Sequence, residues 1–196
     1  MNILVKSSNG INQVSMESKL LMQRKVWLEG KLTLETACDF AKKIMILNGE
    51  SKEKNIDLLI CSPGGEVSAG MLLYDIVQTS KAPIRMFCVG SCYSMAAVLF
   101  ASGKYGRYML PNGELMLHEL SLENCVGGSS SSIKSISESL LETKNKVNGI
   151  LAKHTGKSLE EIENASSYDH YFSPTESIEF GLADAVVDFA KMMEEN

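Results

Sequence analysis

Cys88-Val-Gly-Ser-Cys-Tyr-Ser-Met-Ala-Ala97 is where this chain turns from a buried strand into a helix. Ile84 to Val89 reads as a mostly apolar strand, Gly90 breaks it, and Ser94 opens an apolar helical run through Met95, Ala96, Ala97, Val98, Leu99 and Phe100. A serine at that junction stands at a helix N-terminus, where free backbone N–H groups and the positive end of the helix dipole lie beside its hydroxyl. Such surroundings suit an oxygen that attacks a carbonyl next to a site that holds negative charge. They equally suit a plain N-cap, so the serine by itself decides nothing.

The strand before it belongs to a series. Lys25 to Leu28 reads as a strand, and from Thr33 the apolar positions Leu34, Ala37, Cys38, Ala41, Ile44 and Met45 fall at helical spacing until Asn48-Gly49. Ile56 to Cys61 is a second, mostly apolar strand, as expected where both faces are covered. The turn Ser62-Pro63-Gly64-Gly65 then leads into a helix from about Val67 to Thr79. This turn lacks the lysine and the glycine spacing of a phosphate cradle. The β-α-β-α order predicts a parallel sheet whose ligands collect at the carboxyl ends of the strands. Ser62–Gly65 and Gly90–Ser94 both lie at such ends, so if the two strands are neighbours, one N–H from each can form an oxyanion hole.

Further on, Tyr105 to Met109 and Glu114 to His118 read as short strands about Pro111-Asn112-Gly113. Gly127-Gly128 and four serines precede a long amphipathic helix, roughly Ile133 to His154, with Ile136, Leu140, Leu141, Val147, Ile150 and Leu151 on a stripe that faces the core or a partner. Ser158-Leu-Glu-Glu161 and Ser173-Pro-Thr-Glu176 are capping boxes, the second closed by Gly181. Between them, Asp169 sits among aromatic residues, which predicts partial desolvation and a need for a partner. Met1 to Met22 is the least informative part and reads as a hairpin or a mobile segment.

The totals narrow the function. A chain of 196 residues without a Pro- or Ser-rich linker reads as one α/β domain, residues 25–196, after an N-terminal segment of residues 1–24. A net charge of −5 argues against nucleic acid or an anionic membrane as the main partner. No long apolar run and no signal-like N-terminus is present, so a cytoplasmic location is expected. The cysteines at 38, 61, 88, 92 and 125 show no Cys-x-x-Cys pair and read as reduced packing residues, while His118, His154 and His170 lie too far apart for a local metal motif. No metal and no resident cofactor is expected.

Ser94, His118 and Asp169 are the residue types of a serine-protease triad, in which histidine takes the serine proton and the acid holds the imidazole. Their order and the absence of a G-x-S-x-G elbow match none of the common serine-hydrolase arrangements. The motifs are more telling. Ser62-Pro-Gly-Gly-Glu-Val-Ser-Ala-Gly-Met71, Tyr74-Asp75, Gly90-x-x-x-Ser94-Met95-Ala96, Leu110-Pro111-Asn112, Leu115-Met116-Leu117-His118, His154-Thr155-Gly156-Lys157-Ser158-Leu159 and Glu179-Phe180-Gly181-Leu182 closely resemble the ClpP family, the proteolytic subunits of the ATP-dependent Clp protease. The likeness runs from about Lys25 to Val187.

The resemblance implies a ClpP/crotonase-like superhelix of β-α-β units with a protruding handle helix, the handle spanning about residues 125–154. It implies Ser94 as nucleophile, His118 as general base, Asp169 as orienting acid, and the N–H groups of Gly65 and Met95 as the oxyanion hole. A peptide substrate would add as a strand between Gly65, Glu66, Val67 and Ser68 on one side and Glu119 to Glu123, with Leu120, on the other. The assembly implied is two stacked heptameric rings enclosing a chamber, either homomeric or mixed with a second ClpP isoform. An unfolding AAA+ ATPase of the ClpX or ClpA/ClpC type would feed unfolded protein into it, and ATP would be used only by that partner.

Several positions depart from the family pattern. Its usual N-terminal motifs are absent from Met1 to Arg24, its aromatic ATPase-docking positions are Asp57, Leu59 and Thr79 here, and the Gln-Pro after the histidine is Glu119-Leu120. Competing readings are a signal-peptide-peptidase-like Ser–Lys enzyme, a crotonase acting on acyl-CoA, and a non-catalytic ring subunit that scaffolds an active partner.

Overall fold

A computed structural model describes residues 2–7, 10–121 and 128–192. An antiparallel hairpin of β1 (Asn2–Ser7) and β2 (Gly10–Ser15) opens the chain, followed by the short helix α1 (Met16–Met22). The hairpin alternative is therefore the one realised. Then come β3 (Lys25–Glu29), α2 (Leu34–Glu50), β4 (Ile56–Ser62), α3 (Val67–Thr79), β5 (Ile84–Tyr93) and α4 (Met95–Ala101). After them lie β6 (Arg107–Met109), β7 (Glu114–Leu117), α5 (Ser130–Thr155), α6 (Leu159–Ala165), β8 (His170–Phe172), α7 (Pro174–Phe180), β9 (Ala185–Val186) and α8 (Phe189–Met192).

The main sheet runs β3-β4-β5-β6-β9, parallel throughout, with β7 parallel to β5 and β8 antiparallel to β7. This is the mixed α/β architecture expected of a ClpP-like chain. The predicted neighbours β4 and β5 do pair, with Ile56 opposite Ile84. Gly90 does not end β5. The strand continues to Tyr93 because it changes partner, from β6 along Met86–Cys88 to β7 along Ser91–Tyr93. Against β4 it carries two extra residues, since Cys88 faces Ile60 and Cys92 faces Ser62.

Helix α2 buries Ala37, Phe40, Ile44 and Leu47, while Leu34, Cys38 and Met45 of the predicted stripe are exposed. Cys38 is thus no packing residue, and Cys125 lies outside the described residues. Helix α2 closes at Glu50, one residue past Asn48-Gly49, and the Asn48 carboxamide donates to the Ile44 carbonyl and accepts from the Lys81 and Ala82 N–H groups, docking the α3–β5 connection. Helix α4 is buried on every side, as an apolar helix must be. The α5 stripe divides. Val147, Ile150 and Leu151 enter the core, whereas Ile136 and Leu141 stay exposed on the half that stands away from it. The predicted handle begins at 125, within the residues not described; its helix begins at Ser130.

Candidate active site

Ser94 occupies the N-cap position of α4 but does not cap it: its side chain makes no bond to the helix. Its backbone is at φ 54° and ψ −126°, a conformation that costs a non-glycine residue of order 1–3 kcal/mol and persists only where neighbours enforce it. They do so from two sides. The Ser94 N–H donates to the Met116 carbonyl at 2.8 Å, and its own carbonyl accepts from the Ala97 N–H. The hydroxyl is turned instead to the Nε2 of His118, 2.7 Å away. The plain N-cap reading does not describe this serine.

Strand registers deliver the other two residues. Tyr93 of β5 faces Met116 of β7, so His118, just past the end of β7, stands beside the elbow. On the other edge of β7, Leu117 faces His170 of β8, and one more step of that antiparallel register sets residue 118 opposite residue 169. Asp169 Oδ1 is 3.8 Å from His118 Nδ1, too far for a hydrogen bond. The Asp169 side chain is 63% exposed and that of His118 31%. The expected desolvation of Asp169 is not found, and alternation along the strand explains why. Tyr168, His170 and Phe172 stack on one another on one face, leaving Asp169 on the other.

The glycine turn closes against the same elbow. Gly64, at φ 87°, lies so close that a Cβ there would come within 2.6 Å of the Tyr93 carbonyl oxygen and 2.8 Å of the Ser94 Cβ. Gly65 bridges to Leu32 through the flanking groups: Leu32 N–H donates to the Gly64 carbonyl, and Glu66 N–H donates to the Leu32 carbonyl. The Gly65 N–H takes no part in that bridge. The Met95 N–H, in the first turn of α4, has no intrahelical acceptor.

Gly65, Ser94, Met95 and His118 line one cleft of about 390 Å³, together with Val67 and Leu120. Glu66 and Ser68 are exposed and lie outside it, and Val67–Ser68 already belong to α3, so only the segment up to Glu66 is extended. On the opposing segment, residues 122 and 123 lie outside those described. Helix α5 adds four wall residues that carried no signal for chemistry: Lys144, Val147, Asn148 and Leu151. Val147 and Leu151 were legible only as part of a stripe facing the core or a partner. Asn148 is 5% exposed, and its side-chain N–H group has no acceptor.

Charge at the site is arranged by pairs. Lys144 Nζ donates to Glu119 Oε1 at 2.6 Å, a contact that lowers the Glu119 pKa and raises that of Lys144. The Tyr93 hydroxyl, next to the elbow, donates to Glu114, which pushes its pKa up to about 12 and keeps it neutral. A larger apolar groove of about 780 Å³, between α1, β3, α2 and α8, shares no residue with this cleft. Its walls include Trp27, Phe40, Leu59 and Phe189.

Comparison with known families bears on the whole of this arrangement. A family model described as Clp protease matches residues 8–190, most of the chain.

Proposed function

The chain belongs to the Clp protease family, and on that premise we propose that it is a serine endopeptidase that hydrolyses peptide bonds of unfolded proteins. Ser94 Oγ attacks the scissile carbonyl carbon while His118 Nε2 takes its proton. The oxyanion that forms is held by the N–H groups of Gly65 and Met95. Collapse of the tetrahedral adduct breaks the C–N bond, and His118 returns the proton to the leaving amine. Water, deprotonated by His118, then attacks the acyl-serine and releases the carboxylic acid and the free hydroxyl. Asp169 orients the imidazole and offsets its charge.

What supports this reading is the 2.7 Å contact between a strained, non-capping serine and a histidine at the mouth of a cleft. A crotonase acting on acyl-CoA has no need of that pair, and a Ser–Lys enzyme would set a lysine against the hydroxyl. The 3.8 Å gap to Asp169 favours the second reading, a ring subunit that scaffolds a more active partner.

The wider assembly follows from family membership and belongs to the same proposal. Peptide bound as an added strand is selected weakly by sequence, so selection falls to access, through a closed chamber of two stacked heptameric rings fed by an AAA+ unfoldase that consumes the ATP. The exposed half of α5, with Ile133, Ile136 and Leu141 bare, is the surface suited to ring-to-ring contact.

A fluorophosphonate probe tests the chemistry. Adduct formation at Ser94, lost in His118→Ala, is the expected result, with Ser94→Ala lowering peptide hydrolysis by about 10⁶-fold. An unlabelled, inactive assembly would favour the scaffold.

A further inference from the structure

We infer that Ser62 is a positioning residue for the Gly65 amide, an inference that rests on the peptidase reading. Ser62 ends β4 and is fully buried. Its hydroxyl makes two bonds. It donates to the Gly30 carbonyl at 2.6 Å and accepts from the Gly64 N–H at 3.1 Å.

Those two partners belong to different loops, and each loop builds part of the oxyanion site. Gly30 begins the segment after β3 that reaches Leu32, and Leu32 brackets Gly65 with its N–H and its carbonyl. Gly64 packs on the Tyr93 carbonyl and the Ser94 Cβ, so its height above the elbow sets how far the next amide stands from the nucleophile. Backbone bonds hold part of this joint, from the Gly30 N–H to the Cys61 carbonyl and from Leu32 to Gly64 and Glu66, but Pro63, between Ser62 and Gly64, has no N–H to give. The Ser62 hydroxyl adds the side-chain link between the two loops, holding the Gly30 carbonyl and the Gly64 N–H at once at the end of the strand. An oxyanion donor works only when held at 2.7–3.1 Å from the developing charge, and a displacement of about 1 Å is worth as much as 10²-fold in rate.

Ser62 touches no substrate, so its effect must show in transition-state binding rather than in ground-state binding. The full-length protein, its Ser62→Ala variant and its Ser62→Cys variant are compared on three probes. These are a fluorogenic dipeptidyl aminomethylcoumarin amide, the matching dipeptidyl boronate, and the matching dipeptidyl N-methylamide. Ser62→Ala is expected to lower kcat by about 10- to 100-fold and to weaken the boronate by the same factor, with KM and N-methylamide affinity within about twofold of wild type. Ser62→Cys, whose larger and weakly hydrogen-bonding thiol cannot keep the 2.6 Å bond to the Gly30 carbonyl, should follow Ser62→Ala. It also serves should the alanine variant fail to fold.

Wild-type kcat and boronate affinity in both variants would overturn the inference, as would equal weakening of boronate and N-methylamide, the mark of a merely structural role. A wild type that neither hydrolyses the amide nor is labelled at Ser94 overturns the peptidase reading, and this inference with it. An active wild type with unaffected variants removes only the inference.

Discussion

Asp169 Oδ1 stands 3.8 Å from His118 Nδ1 even though the β7–β8 register sets these two residues opposite each other. Backbone pairing has brought the acid to the imidazole, but the side chain remains in water, where a carboxylate keeps most of its hydration and gains little from a nearby cation. The Ser94–His118 contact, by contrast, is closed at 2.7 Å.

From this asymmetry, Asp169→Asn is expected to lower kcat/KM by about 10²-fold, well short of the ~10⁴-fold that follows loss of a firmly bonded triad acid. Steady-state hydrolysis of a fluorogenic peptide, with His118→Ala alongside, gives the order. Equal losses in the two variants would mean that the acid closes on the imidazole in the working enzyme.

Two glycine-to-alanine changes should act in opposite directions. Gly64→Ala drives a Cβ to within 2.6 Å of the Tyr93 carbonyl and is strained at φ 87°, so peptidase activity should fall by at least about 10²-fold. Gly149→Ala lies on α5 with nothing within 4 Å of the new methyl and should add about 0.5–1 kcal/mol, raising Tm by about 1–4 °C. Scanning calorimetry and peptide turnover on both variants check the pair.

Asp57 is fully buried between Lys25 Nζ at 2.9 Å and Arg85 Nε at 2.6 Å, and Lys25 also donates to the Met192 carbonyl. Asp57→Ala leaves a buried ammonium without its anion, which costs about 3–5 kcal/mol. Urea unfolding should show that loss. A change below about 1 kcal/mol would mean that the lysine escapes to solvent when its partner is removed.

His154 has its pKa lowered, first by burial and then by the positive charges of Lys153, Arg107 and Lys104. The folded state therefore holds the imidazole neutral where the unfolded chain would already take up a proton. The associated stability is complete above the ordinary histidine pKa, near 6.5, and is lost as pH falls through the lower folded value. Thermal midpoints at about pH 7.5 and 5.5 should differ less in His154→Gln than in wild type. An unchanged difference would place the acid sensitivity in other groups.

Asn148 borders the cleft with a buried N–H group lacking an acceptor. Such a group costs about 1–3 kcal/mol, and Asn148→Leu, of similar size, should recover roughly 1 kcal/mol in urea unfolding. No gain would show that the amide is satisfied by water or a partner.

Much of the fold was legible because its signals are local. Helix α3 spans the residues that periodicity marks, and both C-terminal capping boxes form, Ser158 with Glu161 and Ser173 with Glu176. An element that depends on a distant neighbour has no such local signal: β5 outruns Gly90 because it acquires β7.

The same division holds for the site. Residue types, their order and the glycine turn are properties of the chain: they offered Ser94, His118 and Asp169 as the residue types of a triad, and the motifs' resemblance to the ClpP family gave these their roles and set Gly65 and Met95 beside them. Whether those groups meet was decided by strand registers, which depend on pairings between segments tens of residues apart and carry no local signature. The Ser94 hydroxyl turns from its helix to His118, Ser62 ties two loops together, and Asp169 faces water because its aromatic neighbours stack on the other face of β8. Composition around a residue does not say which side of a strand it occupies; only the folded sheet does.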